Sequence, residues 1–119
     1  METGQASTVE LSSPGATEPT LRWEGHMCDE VGATYGHIPL AFLSATRDEL
    51  WLCGNRGNYR FPRSSIRKLG RGSLYPWLFR AVGIHHTIAG YPSDLQFKPL
   101  EIAPKAILRQ LEQLGYPVA

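Results

Sequence analysis

From Gly36 to Phe97 the large apolar residues recur at every second position in short runs, and turn-forming residues close each run. That pattern confines this part of the chain to antiparallel strands, because successive strand side chains point to opposite faces. In "GHIPLAFLSATRDELWLCG", Ile38, Leu40 and Phe42 fall on one face, "SATRDE" supplies the turn, and Leu50 and Leu52 resume the alternation. These residues predict a β-hairpin. "NRGN" gives a second turn, with Gly57 free to take positive φ, and "YRF" makes a short strand that Pro62 ends because it has no N–H to donate. "SSIRKLGRG" continues as another strand, with Ile66 out of phase with Arg67 and Gly70 and Gly72 closing it.

Farther along, Val82, Ile84, His86 and Ile88 share one strand face and Gly83, His85 and Thr87 the other. "YPSD" is a turn around Pro92, and "LQFKPLE" alternates again through Leu95 and Phe97. Upstream, Leu21 and Trp23 alternate with Arg22 and Glu24, and "HMCDEVGATYG" extends or pairs with that strand.

The period then changes. In "APKAILRQLEQLGYPV", Ala103, Ile107, Leu111 and Leu114 recur at three- and four-residue steps, and Ala106 and Leu108 widen the stripe. Pro104 suits a first helical position, and Gly115 followed by Pro117 stops the helix, which is expected over 104–115. A helix this short is marginal alone, so it must lie across the open end of a curved sheet. The expected fold is mainly β, an antiparallel barrel of six or seven strands capped by one C-terminal α-helix. It occupies 20–119, one domain's worth of the 119 residues. Residues 1–19, rich in Ser, Thr, Gly, Pro and Glu with only Val9 and Leu11 as large aliphatics, are expected to form a disordered tail.

No apolar run approaches the roughly 20 residues a membrane span needs. The N-terminus has neither the basic start nor the apolar core of a secretory signal, which predicts a cytoplasmic protein. Cys28 and Cys53 are too few for a disulfide scaffold and read as reduced, small apolar residues. A formal net charge of +1 argues against general nucleic-acid binding, and no nucleic acid is expected as a partner. The charge is nonetheless segregated: Glu2, Glu10 and Glu18 stand in the first 20 residues without a basic residue. Arg56, Arg60, Arg63, Arg67, Lys68, Arg71 and Arg80 stand between Gly54 and Ser93 without an acidic one.

The series "GHIPLAFLSATRDELWLC", "FPRSSIRKL", "VGIHHTIAGYPSDLQF" and "ILRQLEQLGY" resembles the pleckstrin-homology-like superfold, most nearly its GRAM-type and bacterial members, over Gly36 to Tyr116. The resemblance implies a small barrel closed by its helix. Lipid-binding members hold inositol phosphates with Lys and Arg flanking the first loop. The turn matched to that loop, "SATRDE", sets Arg47 beside Asp48 and Glu49, which would repel a phosphate as much as attract it. The insert "GRGSLYPWLFRA" also departs from the pattern.

Two surfaces are candidates. Arg63, Arg67, Lys68 and Arg71 are candidate anion-binding residues for a lipid headgroup, or else solvated charges that protect a sheet edge from pairing. In "LYPWLF", Tyr75, Trp77 and Phe79 alternate, and with Arg71 and Arg80 they are a candidate docking surface, or else part of a loop folded back over the barrel. Chemistry has weaker signals. His85 and His86 point to opposite faces, and His26 and Cys28 share one that could in principle meet Cys53, a thin case for zinc. Ser64 and Ser65 lack a nucleophile setting and "GNRGN" is no phosphate loop. The sequence thus predicts no enzyme, metal or cofactor. It predicts an interaction module for protein contacts or self-association, with peripheral binding of anionic lipid as the alternative.

Overall fold

The computed structural model describes residues 20–29, 31–34, 36, 38–72, 77 and 80–119. The expectation of a disordered tail over 1–19 falls outside these residues. The strands are β1 Leu21–Cys28, β2 Ala41–Ala45, β3 Glu49–Gly54, β4 Gly57–Pro62, β5 Ile66–Arg71, β6 Val82–His86 and β7 Leu95–Pro99. A 3₁₀ turn, Arg63–Ser65, joins β4 to β5, and helix α1 spans Pro104–Leu114. All neighbouring strands are antiparallel, in the order β4-β3-β2-β1-β7-β6-β5. The protein is therefore mainly β, a half-barrel of seven antiparallel strands with one C-terminal helix.

β1 is the pivot of the sheet. Leu21–Gly25 pair with β2, whereas Gly25–Cys28 pair with β7. Gly25 belongs to both ladders, and a Cβ there would overlap the Lys98 carbonyl of β7. Met27 faces the main core and Cys28 the opposite side, as strand alternation requires.

Phe61, Phe97, Met27, Leu43, Leu50, Leu52, Leu69, Ile84 and Leu95 fill the concave side, and Ile107 and Leu111 of α1 complete it. The helix begins with Pro104 in its first turn and stops at Gly115, whose φ of 106° is the left-handed cap conformation. Beyond it the buried Tyr116 donates its hydroxyl to the Thr46 carbonyl at 2.8 Å, fastening the helix end to the β2–β3 turn.

The first hairpin differs from the reading of its sequence in phase. Ala41, Leu43 and Ala45 are the buried positions of β2, while Phe42 lies on the outer face under the Arg22 guanidinium and Ile38 is 72% exposed. Pairing of Leu43 with Leu52 and of Ala45 with Leu50 fixes this register, and a one-residue shift would turn every side chain over. A strand also precedes this hairpin, so "SATRDE" is the second connection of the sheet rather than the first.

The two outer edges are covered differently. At β4 the Arg60 N–H donates to the Tyr91 hydroxyl at 3.3 Å, and Tyr91 stacks edge-on to Tyr59, Phe61 and His86 with ring centroids 5.0–5.9 Å apart. These rings draw the β6–β7 turn against β4. At β5 the chain's last residues lie alongside: Leu69 N–H donates to Pro117 O and Ala119 N–H to Leu69 O, both at 2.8 Å. Nothing in the alternation of residues 104–119 announced this strap.

Candidate functional site

The β5 rim begins with a bulge. Ile66 lies opposite His86 and Lys68 opposite His85, so β5 has one residue more than β6 here and Arg67 is the extra one. A regular strand would turn Arg67 and Lys68 to opposite faces. The bulge instead leaves both exposed while Ile66 and Leu69 remain buried. His85, across from Lys68, is exposed as well. Arg71 ends the strand, also exposed, and the Gly72 N–H to Ala81 O bond of 2.7 Å brings exposed Arg80 to the same end of the hairpin.

Arg63 is placed otherwise. It starts the 3₁₀ turn, its N–H bonds the Asp48 carbonyl at 2.8 Å, and its guanidinium donates to the Leu114 carbonyl at 3.4 Å, satisfying one of the helix's last acceptors. It lines a shallow depression of about 530 Å³ with Asp48, Pro62, Ser64, Ile66, Gly115 and Pro117. This depression adjoins the bulged rim through Ile66.

The remaining basic residues of the Gly54–Ser93 stretch are engaged within the fold. Arg56 pairs with Asp29 at 3.1 Å, tying the β3–β4 turn to the segment after β1. Burial alone would raise the Asp29 carboxyl, but N–H bonds from Gly32 and Val31 and the Arg56 guanidinium outweigh it and hold the group below the usual aspartate range. Arg60 lies over the Trp51 ring, 4.5 Å from its centroid, and pairs with Glu49 at 2.8 Å. These partnerships had no signature in local sequence spacing. Of the seven cations, Arg67 and Lys68 are the two presented side by side.

The aromatic candidate surface loses its central ring. Trp77 is 7% exposed and packs with Cys28, Ala81 and Ala33 in a small cluster on the far side of β1 from the main core. A large indole beside apolar neighbours gains more from burial than from solvent, so Trp77 belongs to the packing rather than to an exposed patch. Tyr75 and Phe79 fall outside the described residues. Among the described residues the exposed large apolar side chains are Val31, Ile38, Trp51 and Leu100.

The groups capable of chemistry are held by structural bonds. His26, 3% exposed, meets Thr34 Oγ1 at 2.8 Å through Nδ1 and the Gly36 carbonyl at 3.0 Å through Nε2. A carbonyl can only accept, so Nε2 carries a proton, and both ring nitrogens are taken up by bonds within the fold. His86 Nδ1 accepts the Ile88 N–H at 3.0 Å, and its Nε2–H donates to Pro92 O at 2.8 Å. Burial and the neighbouring Asp29 charge push the Cys28 thiol up to about 11, and burial raises that of Cys53 too. Both cysteines are free, and among the described residues no group of three His, Cys, Asp or Glu side chains is placed to hold a metal. Ser65 donates its hydroxyl to Pro62 O at 2.7 Å, closing the 3₁₀ turn.

Among the described residues no helix is long and apolar enough to cross a membrane. No protein family, curated protein or solved structure matches this chain.

Proposed function

We propose that the protein is a non-catalytic interaction module of the pleckstrin-homology-like superfold, acting in the cytoplasm, that takes acidic segments of partner proteins at the β5 rim. The observation that carries this reading is the bulge at Ile66–Lys68. It turns two consecutive cations outward beside a depression whose walls include Pro62, Ile66 and Pro117. A peptide can use such a site in two ways, resting aliphatic side chains on the exposed Pro62 and Pro117 and directing carboxylates to Arg67 and Lys68. Arg71 and Arg80, at the far end of the hairpin, extend the positive field along the strand.

The strand order, with β1 shared between two ladders and a helix completing the core, supports the superfold assignment. The non-catalytic reading is supported by His26 and His86, whose ring nitrogens are committed to structural bonds, and by the raised Cys28 thiol, which keeps the nucleophilic thiolate scarce near neutral pH.

Anionic lipid is the alternative occupant of this rim. At a charged membrane each cation contributes on the order of 1 kcal/mol, so Arg67, Lys68 and Arg71 would support only weak, salt-sensitive attachment. The test is a fluorescence-anisotropy titration of the full chain with a labelled oligoglutamate peptide, beside sedimentation with phosphatidylserine vesicles. The expected result is peptide binding that weakens about tenfold or more on raising salt and is lost in the Arg67→Glu/Lys68→Glu variant. Vesicle binding without peptide binding would favour the lipid reading, and peptide binding unchanged by the charge reversal would refute the rim as the site.

A further inference from the structure

We infer that the β5 rim and the adjoining depression bind the chain's own acidic N-terminal segment, residues 1–19, within the same molecule. This rests on the reading of the rim as a site for acidic segments and names its resident occupant.

Charge complementarity is the first ground. Residues 1–19 contain Glu2, Glu10 and Glu18 and no Lys or Arg, and the stretch that supplies the rim contains no Asp or Glu. Placement is the second. The described chain starts at Thr20, and Leu21 pairs with Ala45, so the segment enters beside the β2–β3 turn. That turn carries Asp48, which lines the depression together with Arg63, Ile66 and Pro117. The segment therefore reaches the fold beside the turn that lines this depression, and the depression adjoins the bulge of Arg67 and Lys68 through Ile66. An extended chain advances about 3.3 Å per residue, so the ten residues from Thr20 back to Glu10 span up to about 33 Å, ample for this path.

The third ground is side-chain chemistry. In "TVEL", Val9 and Leu11 would share one face of an extended segment and Glu10 the other. Laid along the depression, Val9 and Leu11 would meet the exposed Pro62 and Pro117, and Glu10 would turn toward the cations. Asp48 is the one acid in that lining, and it stands on the β2–β3 turn rather than on the bulge. Attachment in the same chain raises the local concentration of the segment to the millimolar range. Ion pairs too weak to hold a free peptide are then sufficient, and an external acidic partner must displace the segment to dock.

Zero-length carbodiimide coupling of the full chain tests this directly, since it joins carboxylates to amines already in contact. The three lysines are Lys68 on the rim, Lys98 on β7 and Lys105 on α1, of which Lys98 and Lys105 serve as internal controls. Peptide mapping should find Glu10 or Glu18 joined to Lys68 at least about fivefold more often than to exposed Lys105, with the excess lost in high salt. A mixture of isotope-labelled and unlabelled protein should show these links within single chains. Equal yields at Lys68 and Lys105, or links mainly between copies, would overturn the inference. The readout needs no added ligand: Lys68 links together with no oligoglutamate binding, even in a Glu10→Gln/Glu18→Gln chain, would retain the inference and remove the proposed function.

Discussion

Strands β1–β4 and strands β5–β7 belong to one sheet but are built differently. From β1 through β4 the registers run without a break, and outward-facing Arg22 and Arg60 lie over Phe42 and Trp51. Around β5 the ladder bulges, the edge is covered by Pro117–Ala119, and Gly72 approaches Gln96 so closely that a Cβ there would overlap its side chain. In the regular half Arg22, Arg56 and Arg60 are engaged by partners within the fold, whereas the bulge leaves Arg67 and Lys68 exposed side by side. A bulge changes which side chains face water without changing composition, and so local irregularity rather than charge content marks the candidate surface.

The two halves meet across a seam. Phe61, fully buried on β4, packs on His86 of β6 and Tyr91 of the β6–β7 turn. Phe61→Ala should destabilise the protein by about 3–5 kcal/mol in denaturant unfolding. Loss below about 1.5 kcal/mol would mean the seam is not packed as described. At the other junction, Gly25→Ala places a methyl group against the Lys98 backbone and should cost about 3 kcal/mol, with amide exchange accelerating first on both sides of β1. Exchange that accelerated in only one half would show that Gly25 is not the shared pivot.

A smaller effect sharpens the account of the regular half. Because the folded Asp29 carboxyl is held below its ordinary range, its contribution to stability is present above the unfolded value and is lost as pH falls through the folded one. Stability measured from neutral pH downward should therefore fall less steeply in Asp29→Asn than in the parent chain across that window. Identical slopes would detach Asp29 from the Arg56 pair. The smallest stability effect belongs to the rim: Arg67→Glu/Lys68→Glu should leave the unfolding midpoint essentially unmoved, since neither side chain is buried.

Much of the fold was legible because alternation is a local property. The β2–β3 hairpin, the turn at Gly57, the strands around Ile84 and Phe97 and the helix stop at Gly115 all follow from spacings of two or of three and four. What escaped depended on distant partners. Phe42 and Leu43 are equally apolar, and only pairing with β3 decides that Leu43 is the one inside. Trp77 is buried by Cys28, nearly fifty positions away. The Pro117–Ala119 strap needs β5 beside it, and the bulge exists only against β6. At the site, the segregation of charge was visible in the sequence, but the separation of Arg67 and Lys68 from Arg56, Arg60 and Arg63 depended on Asp29, Glu49, Trp51 and the end of α1.

The proposed docking surface lies in the irregular half. Its most direct test is amide chemical-shift mapping of the full chain as oligoglutamate is added at low salt. The account predicts that the largest shifts cluster at Arg63–Arg71 and His85, with the Arg22, Phe42, Trp51 and Arg60 face unmoved. Shifts concentrated on that outer face of β1–β4, or around Val31 and Ile38, would contradict it.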